Sequence, residues 1–357
     1  MDGLRGLAVA GVLALHTSTR LFFWGWACVD LFFVLSGYLI TTILLANAGS
    51  PRMLVSFYVR RALRIWPVYY LALLVTLLIY FVGGKLGSGA WPGMPDGQWL
   101  SFIFLQYTDQ YLPGAPDIEY IWYFAHSWSL AVEEQFYLLW PLVFFLLRPG
   151  LRALFAGCAV LIALAMWARA QGWYIYLLLT RIDGLLFGIV LAYLVSGPGR
   201  ILYRLPARWL GYAAAAGVVL VAPYLLVGYG HRLSPNFSDR TVEVAAFCLL
   251  SAALVAAAVR WSGAAWLGWL RVRPLVHLGR ISFAVYMYHV PVGYLTLVAV
   301  EHGYLTRHQG HLAMWIVSLL VAHLSFVLIE RQVLSLKERF PYTRPAGSSP
   351  APDTTPA

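Results

Sequence analysis

Long apolar runs alternate with short polar stretches along the chain, and this pattern decides the fold class. Runs such as 27–46, 209–229 and 312–329 approach the roughly 20 residues that a helix needs to cross about 30 Å of hydrocarbon. A helix satisfies its backbone hydrogen bonds within the span, whereas a barrel would show alternating polarity. The pattern therefore predicts an all-α integral membrane protein.

Ten apolar segments can be placed, several of them short or carrying polar residues. Such segments must shield one another, so we expect a single bundle of about ten transmembrane helices over residues 1–335. Residues 336–357 are predicted to be a disordered cytoplasmic tail, since RPAGSSPAPDTTPA at the end is rich in Pro, Ala, Ser and Thr. The ten segments are 4–20, 27–46, 66–83, 128–147, 152–169, 183–197, 209–229, 243–260, 281–300 and 312–331.

Composition strengthens this interpretation and excludes another. Apolar residues make up 61% of the chain and charged residues 11%, too few charges to cover a soluble domain. The net charge of +10 could indicate nucleic-acid binding, but the basic residues lie in small clusters between apolar runs, so no such partner is expected. Cys28, Cys158 and Cys248 show no metal-ligand spacing, and neither a metal site nor a disulfide is predicted.

The basic residues also predict an orientation. With the N-terminus inside, the inner side receives 18 of the 25 Lys and Arg residues. We therefore expect a multi-pass protein of the cell (inner or plasma) membrane with both termini in the cytoplasm, and a first helix that is retained. The seven basic residues assigned to the outer side are Arg20, Lys85, Arg169, Arg181, Arg232, Arg240 and Arg307.

Ionisable residues within spans are costly and are candidates for function. Arg5 and His16 share a face of the first helix, about 16 Å apart, with His16 in the outer half. On these two residues alone, a snorkelling Arg and a His that caps the outer end of the span are slightly favoured over a functional role. Glu133 and Glu134 lie near the depth of His16, and a structural ion pair would account for one carboxylate but not for two.

A basic cluster at the inner surface, Arg60, Arg61 and Arg64, suits phosphate oxygens, although topology or anionic lipids would also explain it. Ser36 and Gly37 are small residues that let helices approach closely, and without a GxSxG elbow a Ser36 nucleophile is not favoured. The remaining polar or aromatic candidates have a structural or acceptor-side role; they are Asp30, Trp128, Asp183, His289 and Glu330.

Six stretches together resemble the acyltransferase-3 family of membrane acyltransferases, in the family's order and over nearly the whole chain. They are MDGLRGLAVAGVLALH, VDLFFVLSGYLI, FYVRRALRIWPVYY, HSWSLAVEEQFYLLWP, RIDGLLFG and LGRISFAVYMYHVPV. The family's Arg–His motif falls on Arg5 and His16, its RxxR motif on Arg61 and Arg64, and its carboxylate motif on Glu133 and Glu134.

The resemblance implies a cytoplasmic acyl-CoA donor, with acetyl as the default acyl group, and a hydroxyl acceptor on a glycan, glycolipid or glycosylated metabolite. Acyl-CoA would be a co-substrate, and no bound cofactor is expected. Because no hydrolase-like segment follows the last motif, we expect direct transfer or hand-over to a separate protein.

A mechanism can be formulated on these residues. His16 would be the base that accepts the hydroxyl proton, with Glu133 or Glu134 orienting it. Arg61 and Arg64, together with Arg5, would hold the phosphates of the donor. The outer loop could present Trp91, Trp99 and Trp122 to a sugar, although these aromatic residues would equally suit interface anchors.

Two other functions compete with this one. A transporter or flippase of a lipid-linked or sugar substrate would also need buried charges, but the chain shows no internal repeat of broken helices. A scaffolding membrane protein would not need a His and two carboxylates at one depth.

Overall fold

The computed structural model describes residues 1–106, 119–147, 150–173, 176–197, 200–227 and 241–342. Within these ranges there are ten α-helices of 14 or more residues and no β-strand, which confirms the all-α fold class. In chain order the ten helices are α1 Asp2–Thr17, α2 Cys28–Ala46, α3 Met53–Ser88, α4 Trp128–Leu147, α5 Leu151–Ala170, α6 Asp183–Ser196, α7 Ala207–Val227, α8 Thr241–Arg260, α9 Ser282–Glu301 and α10 Arg307–Ser325.

Each of the ten predicted segments coincides with one of these helices. Eight helical segments in the described ranges are long and apolar enough to cross a membrane. The other two helices, α1 and α6, have 16 and 14 residues. A short helix, Arg273–Arg280, packs against α1, and α10 continues through a π-helical turn, Phe326–Glu330, into Arg331–Ser335.

Helix α3 begins earlier than its apolar run suggested. The sequence placed this segment at 66–83, whereas the helix runs from Met53 to Ser88 and contains Pro67. Neighbouring helices and local adjustments satisfy the backbone groups that a proline frees within a membrane helix, so Pro67 does not end it. The arginine cluster therefore lies on a rigid helix rather than in a loop.

Polarity is distributed as expected for a protein in lipid. Large apolar side chains such as Leu86 and Leu146 are 81% and 75% exposed, whereas Arg169 and Asp183 are completely buried. Water would favour the opposite arrangement, while hydrocarbon favours apolar side chains outside and paired charges within. Together with the apolar helices, this supports a multi-pass membrane protein.

Helix α2 lies at the centre of the bundle, in contact with α1, α4, α6 and α8. Its approach to α6 depends on two glycines. A Cβ added at Gly37 would lie 2.1 Å from the Leu185 carbonyl oxygen, and one at Gly188 would lie 2.3 Å from that of Val34. Small residues permit such backbone contact in membrane helices, which confirms the role predicted for Gly37. The tight packing fixes Ser36, one residue away, inside the bundle.

Residues 336–342 were assigned to the tail by the sequence. In the structure, Leu336–Arg339 form a 3₁₀ turn, and the following residues pack against the start of α3. Residues 343–357 lie outside the described residues.

Candidate active site

A basic cavity of about 780 Å³ lies where the start of α1 meets the first turns of α3. Helix α1 contributes Arg5, while α3 contributes Arg61 and Arg64, which are three residues apart and therefore on one face. Arg60 and Lys337 also line this cavity, and among the described residues no acidic side chain does. The structure thus brings together the three residues predicted to bind the donor, and their environment suits a multiply charged anion. We call this region the arginine end.

A second cavity, of about 710 Å³, shares Arg5, Arg61 and Arg64 with the first. Glu133 projects into it from α4. The Ser36 hydroxyl donates to Glu133 Oε1 over 2.7 Å, and the Tyr137 hydroxyl donates to Oε2 over 2.8 Å. The Arg61 guanidinium lies 4.6 Å from the centre of the Tyr137 ring, a cation–π distance. Glu133 is therefore part of a polar network beside the arginines.

The predicted partnership between His16 and a carboxylate is wrong. Glu133 bonds Ser36 and Tyr137, and Glu134 Oε2 accepts from the Trp66 indole over 3.3 Å. The residues at the depth of His16 precede α4 and lie in the 3₁₀ turn Trp122–Ser127. They do not belong to the second turn of α4, which contains the glutamates. Apolar runs do not measure where α4 begins relative to α1, so the prediction placed the paired glutamates too close to His16.

Three imidazoles meet at the opposite end of the bundle. The rings of His16 and His289 are 4.7 Å apart between centroids, and those of His126 and His289 are 5.1 Å apart, both edge to face. His126 and His289 are buried, whereas the ring of His16 is accessible from a cavity. We call this group the histidine end. His16 and His126 both line that cavity, and His16 is the more exposed of the two.

Backbone carbonyls fix the tautomer of each imidazole. His16 Nδ1 lies 3.0 Å from the Val12 oxygen, His289 Nδ1 lies 2.6 Å from that of Tyr286, and His126 Nε2 lies 3.2 Å from that of Met287. A carbonyl oxygen only accepts, so these ring nitrogens carry the protons. In the neutral rings the opposite nitrogens keep a lone pair. His16 Nε2 is thus the nitrogen that can accept a proton.

A third cavity, of about 1070 Å³, is lined by His16 and His126 and has Trp122 at its rim. Val29 and Tyr286 line both this cavity and the one that contains Glu133. The Tyr286 hydroxyl donates to the His126 carbonyl oxygen over 2.8 Å and lies 2.6 Å from the Ser129 hydroxyl. The three cavities therefore adjoin in sequence, from the arginine end to the histidine end.

The three tryptophans proposed for the acceptor lie in different places. Trp122 lines the cavity of His16 and packs edge to face on Tyr294, with ring centroids 5.5 Å apart. Trp91 lies near the Lys85 ammonium, and Trp99 packs on Phe102. Only Trp122 is placed to meet a molecule beside His16. Trp128, another predicted residue, also lines this cavity and stacks on Tyr176.

Two buried ion pairs hold the aspartates that the sequence singled out. Asp183 accepts hydrogen bonds from both terminal guanidinium nitrogens of Arg169, over 2.9 and 2.8 Å. Asp30 accepts a hydrogen bond from Arg181 over 2.6 Å. These pairs link α5 to α6 and α2 to the residues before α6, a structural role. Arg169 and Arg181 were assigned to the outer side, and both side chains are buried inside the bundle rather than exposed in a loop.

Glu330 lies in the π-helical turn after α10, buried, with its carboxylate under the influence of the Arg64 charge. The structure thus places it behind the arginine end rather than on the acceptor side. Sequence reasoning also missed three residues: His126, Tyr286 and Lys337. His126 and Tyr286 belong to the stretches HSWSLAVEEQFYLLWP and LGRISFAVYMYHVPV quoted above. Their position close in sequence to predicted site residues was the signal that could have indicated them.

Comparison with known proteins defines the class. The acyltransferase domain of the acyltransferase-3 family matches residues 1–331. The chain therefore belongs to this family, and the predicted class, a membrane acyltransferase, is confirmed.

Individual relatives share this domain over most of the chain. The YrhL protein of Bacillus subtilis (strain 168) is 28% identical over 93% of the chain and 54% of its own length. The peptidoglycan O-acetyltransferase OatA of Listeria monocytogenes and the O-acetyltransferase OatA of Staphylococcus aureus are each 26% identical over 93% of the chain, with 55% and 56% of their own lengths covered. The chain thus spans about half the length of these relatives. No solved structure matches.

Proposed function

We propose that the chain transfers an acetyl group from acetyl-CoA, bound at the arginine end, to a glycan hydroxyl at the histidine end. The observation that carries this proposal is the series of adjoining cavities that links five cationic side chains to His16 inside the bundle. A donor with a charged end and a reactive end far apart needs such a route.

The charge of the arginine end favours coenzyme A as the carrier. Coenzyme A has a diphosphate and a ribose phosphate at one end and its thiol at the other, separated by the pantetheine arm. Guanidinium groups bind phosphate oxygens through charge-assisted hydrogen bonds, and Arg5, Arg61 and Arg64 lie where the basic cavity joins the next one. We therefore assign the diphosphate to these three residues and the arm to the cavity of Glu133.

The reaction at the histidine end is a direct acyl transfer. His16 Nε2 accepts the proton of the acceptor hydroxyl while its oxygen attacks the thioester carbon. The tetrahedral intermediate collapses, the C–S bond breaks, and the thiolate leaves with the proton that His16 had accepted. Arg181, which lines this cavity, is placed to stabilise the oxyanion.

His289 and His126 take over the positioning role that the sequence assigned to a carboxylate. Both are neutral and held by backbone carbonyls, and His289 packs against the His16 ring. They restrict the orientation of His16 without adding a negative charge. A neutral pocket suits a base that must remain unprotonated until the hydroxyl arrives.

The orientation that we propose places the arginine end in the cytoplasm, where acetyl-CoA is made. The excess of basic residues in the predicted inner loops supports this direction. Arg5, near the start of the chain, and Tyr342 line one cavity, so both ends of the described chain lie on that side. The acceptor would then arrive from outside, beside Trp122.

A polymeric sugar is the acceptor class we favour. Listeria monocytogenes OatA is named for peptidoglycan O-acetylation, and Trp122 and Trp128 offer ring faces in the cavity of His16. Aromatic faces bind sugars through their apolar C–H surfaces. Transport is not favoured, because the family match is to acyltransferases.

Purified protein in proteoliposomes tests this function. Acetyl-CoA is supplied on one side and soluble peptidoglycan fragments on the other, and free CoA thiol and acetylated fragments are measured. We expect thiol release to require the acceptor and to equal the ester formed. Movement of fragments without thiol release would support the transporter instead, and absence of both would contradict the proposal.

A further inference from the structure

The segment Leu336–Tyr342 returns to the arginine end and closes part of its wall. Arg60 Nη1 donates to the Lys337 and Phe340 carbonyl oxygens, over 3.3 and 3.2 Å. Its guanidinium also lies 5.2 Å from the centre of the Tyr342 ring. One arginine of α3 therefore holds both ends of this segment.

Two serines fix the same segment from the other side. The Ser56 hydroxyl donates to the Pro341 carbonyl oxygen over 2.9 Å, and the Ser50 hydroxyl donates to that of Tyr342. In each of these hydrogen bonds, a backbone carbonyl oxygen of the segment is the acceptor. The Lys337 side chain takes no part in them, so it is available to line the cavity.

The charges around this cavity are only partly balanced by the described residues, since Arg5 pairs with Asp2 over 3.6 Å and Glu330 lies near Arg64. Its wall holds the four arginines and Lys337, and no carboxylate is among the residues that line it. In the described part of the chain, no ion pair involves Lys337. Cations gathered without a full counter-charge are costly beside a membrane interior, unless a ligand supplies the anion.

The five cations form two groups along the route. Arg5, Arg61 and Arg64 line both the basic cavity and the cavity of Glu133, so they lie at the junction. Arg60 and Lys337 line only the basic cavity, further from the histidine end. Arg60 Nη1 bonds two carbonyls of the segment, whereas the Lys337 side chain makes no ion pair or hydrogen bond in the described residues, so its ammonium is the less occupied cation there.

We propose that Lys337 binds the 3′-phosphate on the ribose of coenzyme A, the phosphate farthest from the thioester. This inference rests on the proposed donor. With the diphosphate at the junction of the cavities, the ribose phosphate falls in the outer part of the basic cavity. An ammonium is a compact point charge suited to a phosphate monoester dianion. The segment 336–342 is then a part of the donor site that the family match, residues 1–331, does not include.

A donor without this phosphate provides the test. Acetyl-CoA and acetyl-3′-dephospho-CoA are compared on the wild type, Lys337→Ala and the control Arg339→Ala, which removes a cation of the same segment that does not line the cavity. We expect loss of the 3′-phosphate to raise the KM of the wild type about 10-fold, as one charge-assisted bond would. Lys337→Ala should have the same raised KM with both donors, and Arg339→Ala should behave as the wild type.

Binding separates this inference from the proposed function. Thermal stabilisation of the detergent-solubilised protein by CoA and by 3′-dephospho-CoA needs no turnover. If the wild type shows no transfer but CoA stabilises it more than 3′-dephospho-CoA does, only the proposed reaction fails. If the wild type is active with acetyl-CoA and Lys337→Ala still discriminates between the two donors, the Lys337 assignment is overturned. A wild type that does not discriminate overturns it as well.

Discussion

The arginine end and the histidine end are both polar regions inside an apolar bundle, but they differ in charge. The arginine end gathers five cations around one cavity with no carboxylate in its wall. The histidine end is neutral, and each ring is tied to a carbonyl oxygen. A cluster of cations around a cavity suits an anionic ligand, whereas fixed imidazoles suit proton transfer.

The buried ion pairs provide a reference for this comparison. Arg169 and Asp183 form a bidentate pair that is completely buried and lines none of the three adjoining cavities. A fully buried pair of this kind supports the fold, whereas cations that line a cavity can meet a ligand. Variants at the arginine end, at the histidine end and in the buried ion pair should therefore affect different measured quantities.

The largest expected effect is at His16. His16→Ala removes the base, so kcat should fall by about 10²- to 10⁴-fold, while the KM for acetyl-CoA stays within a factor of about two. The measurement is the initial rate of thiol release over a range of acetyl-CoA concentrations. His302→Ala is the control, because His302 makes the same contact with a carbonyl four residues earlier but lies on the surface. Full activity of His16→Ala would exclude the base assignment.

The next effect concerns stability rather than activity. Asp183→Asn leaves the buried Arg169 without its counter-charge, which should cost about 3 kcal/mol or more of folding free energy. Thermal unfolding in detergent, followed by intrinsic fluorescence, measures the change. Asp2→Asn is the control, since Asp2 forms only long ion pairs of 3.6 and 3.9 Å at the surface. Equal melting temperatures for the two variants would show that the buried pair is not structural.

Donor binding should respond at Arg61. Arg61→Ala should raise the KM for acetyl-CoA by about 10- to 100-fold with a smaller change in kcat, because a charge-assisted bond to phosphate is lost. Arg61→Lys should restore part of the affinity. Arg52→Ala serves as the control, since Arg52 lies just before α3 and is exposed. If Arg61→Ala and Arg52→Ala have the same KM, the cluster serves topology instead.

The smallest effect is expected at Ser36. Its hydroxyl bonds Glu133, but Tyr137 would still bond that carboxylate in Ser36→Ala, so the rate should fall less than about 10-fold. Mass spectrometry after incubation with acetyl-CoA, without acceptor, should show no acetyl group on Ser36. An acetylated Ser36 in the wild type, together with a large loss in the variant, would replace direct transfer by a covalent route.

Much of the fold could be predicted because hydrophobic length is a local property. Each of the ten helices is encoded in its own apolar run, and the motifs placed Arg5, Arg61 and Arg64 at one depth before any contact was known. Helix α3 shows the limit, because its first turns carry three arginines and are followed by Pro67. Where this helix begins depends on neighbouring helices, which satisfy the backbone groups that Pro67 leaves without a hydrogen bond.

The sequence by itself therefore determined the class of protein, the helices and most of the polar side chains of the candidate site. Only the tertiary structure decided which of those side chains meet. It moved Glu133 from His16 to Ser36 and Tyr137, gave His16 two imidazole neighbours, and brought Lys337 to Arg60 from the far end of the chain. The reason is physical: apolar periodicity records which residues are buried, whereas the relative depth and rotation of helices are set by contacts between distant segments.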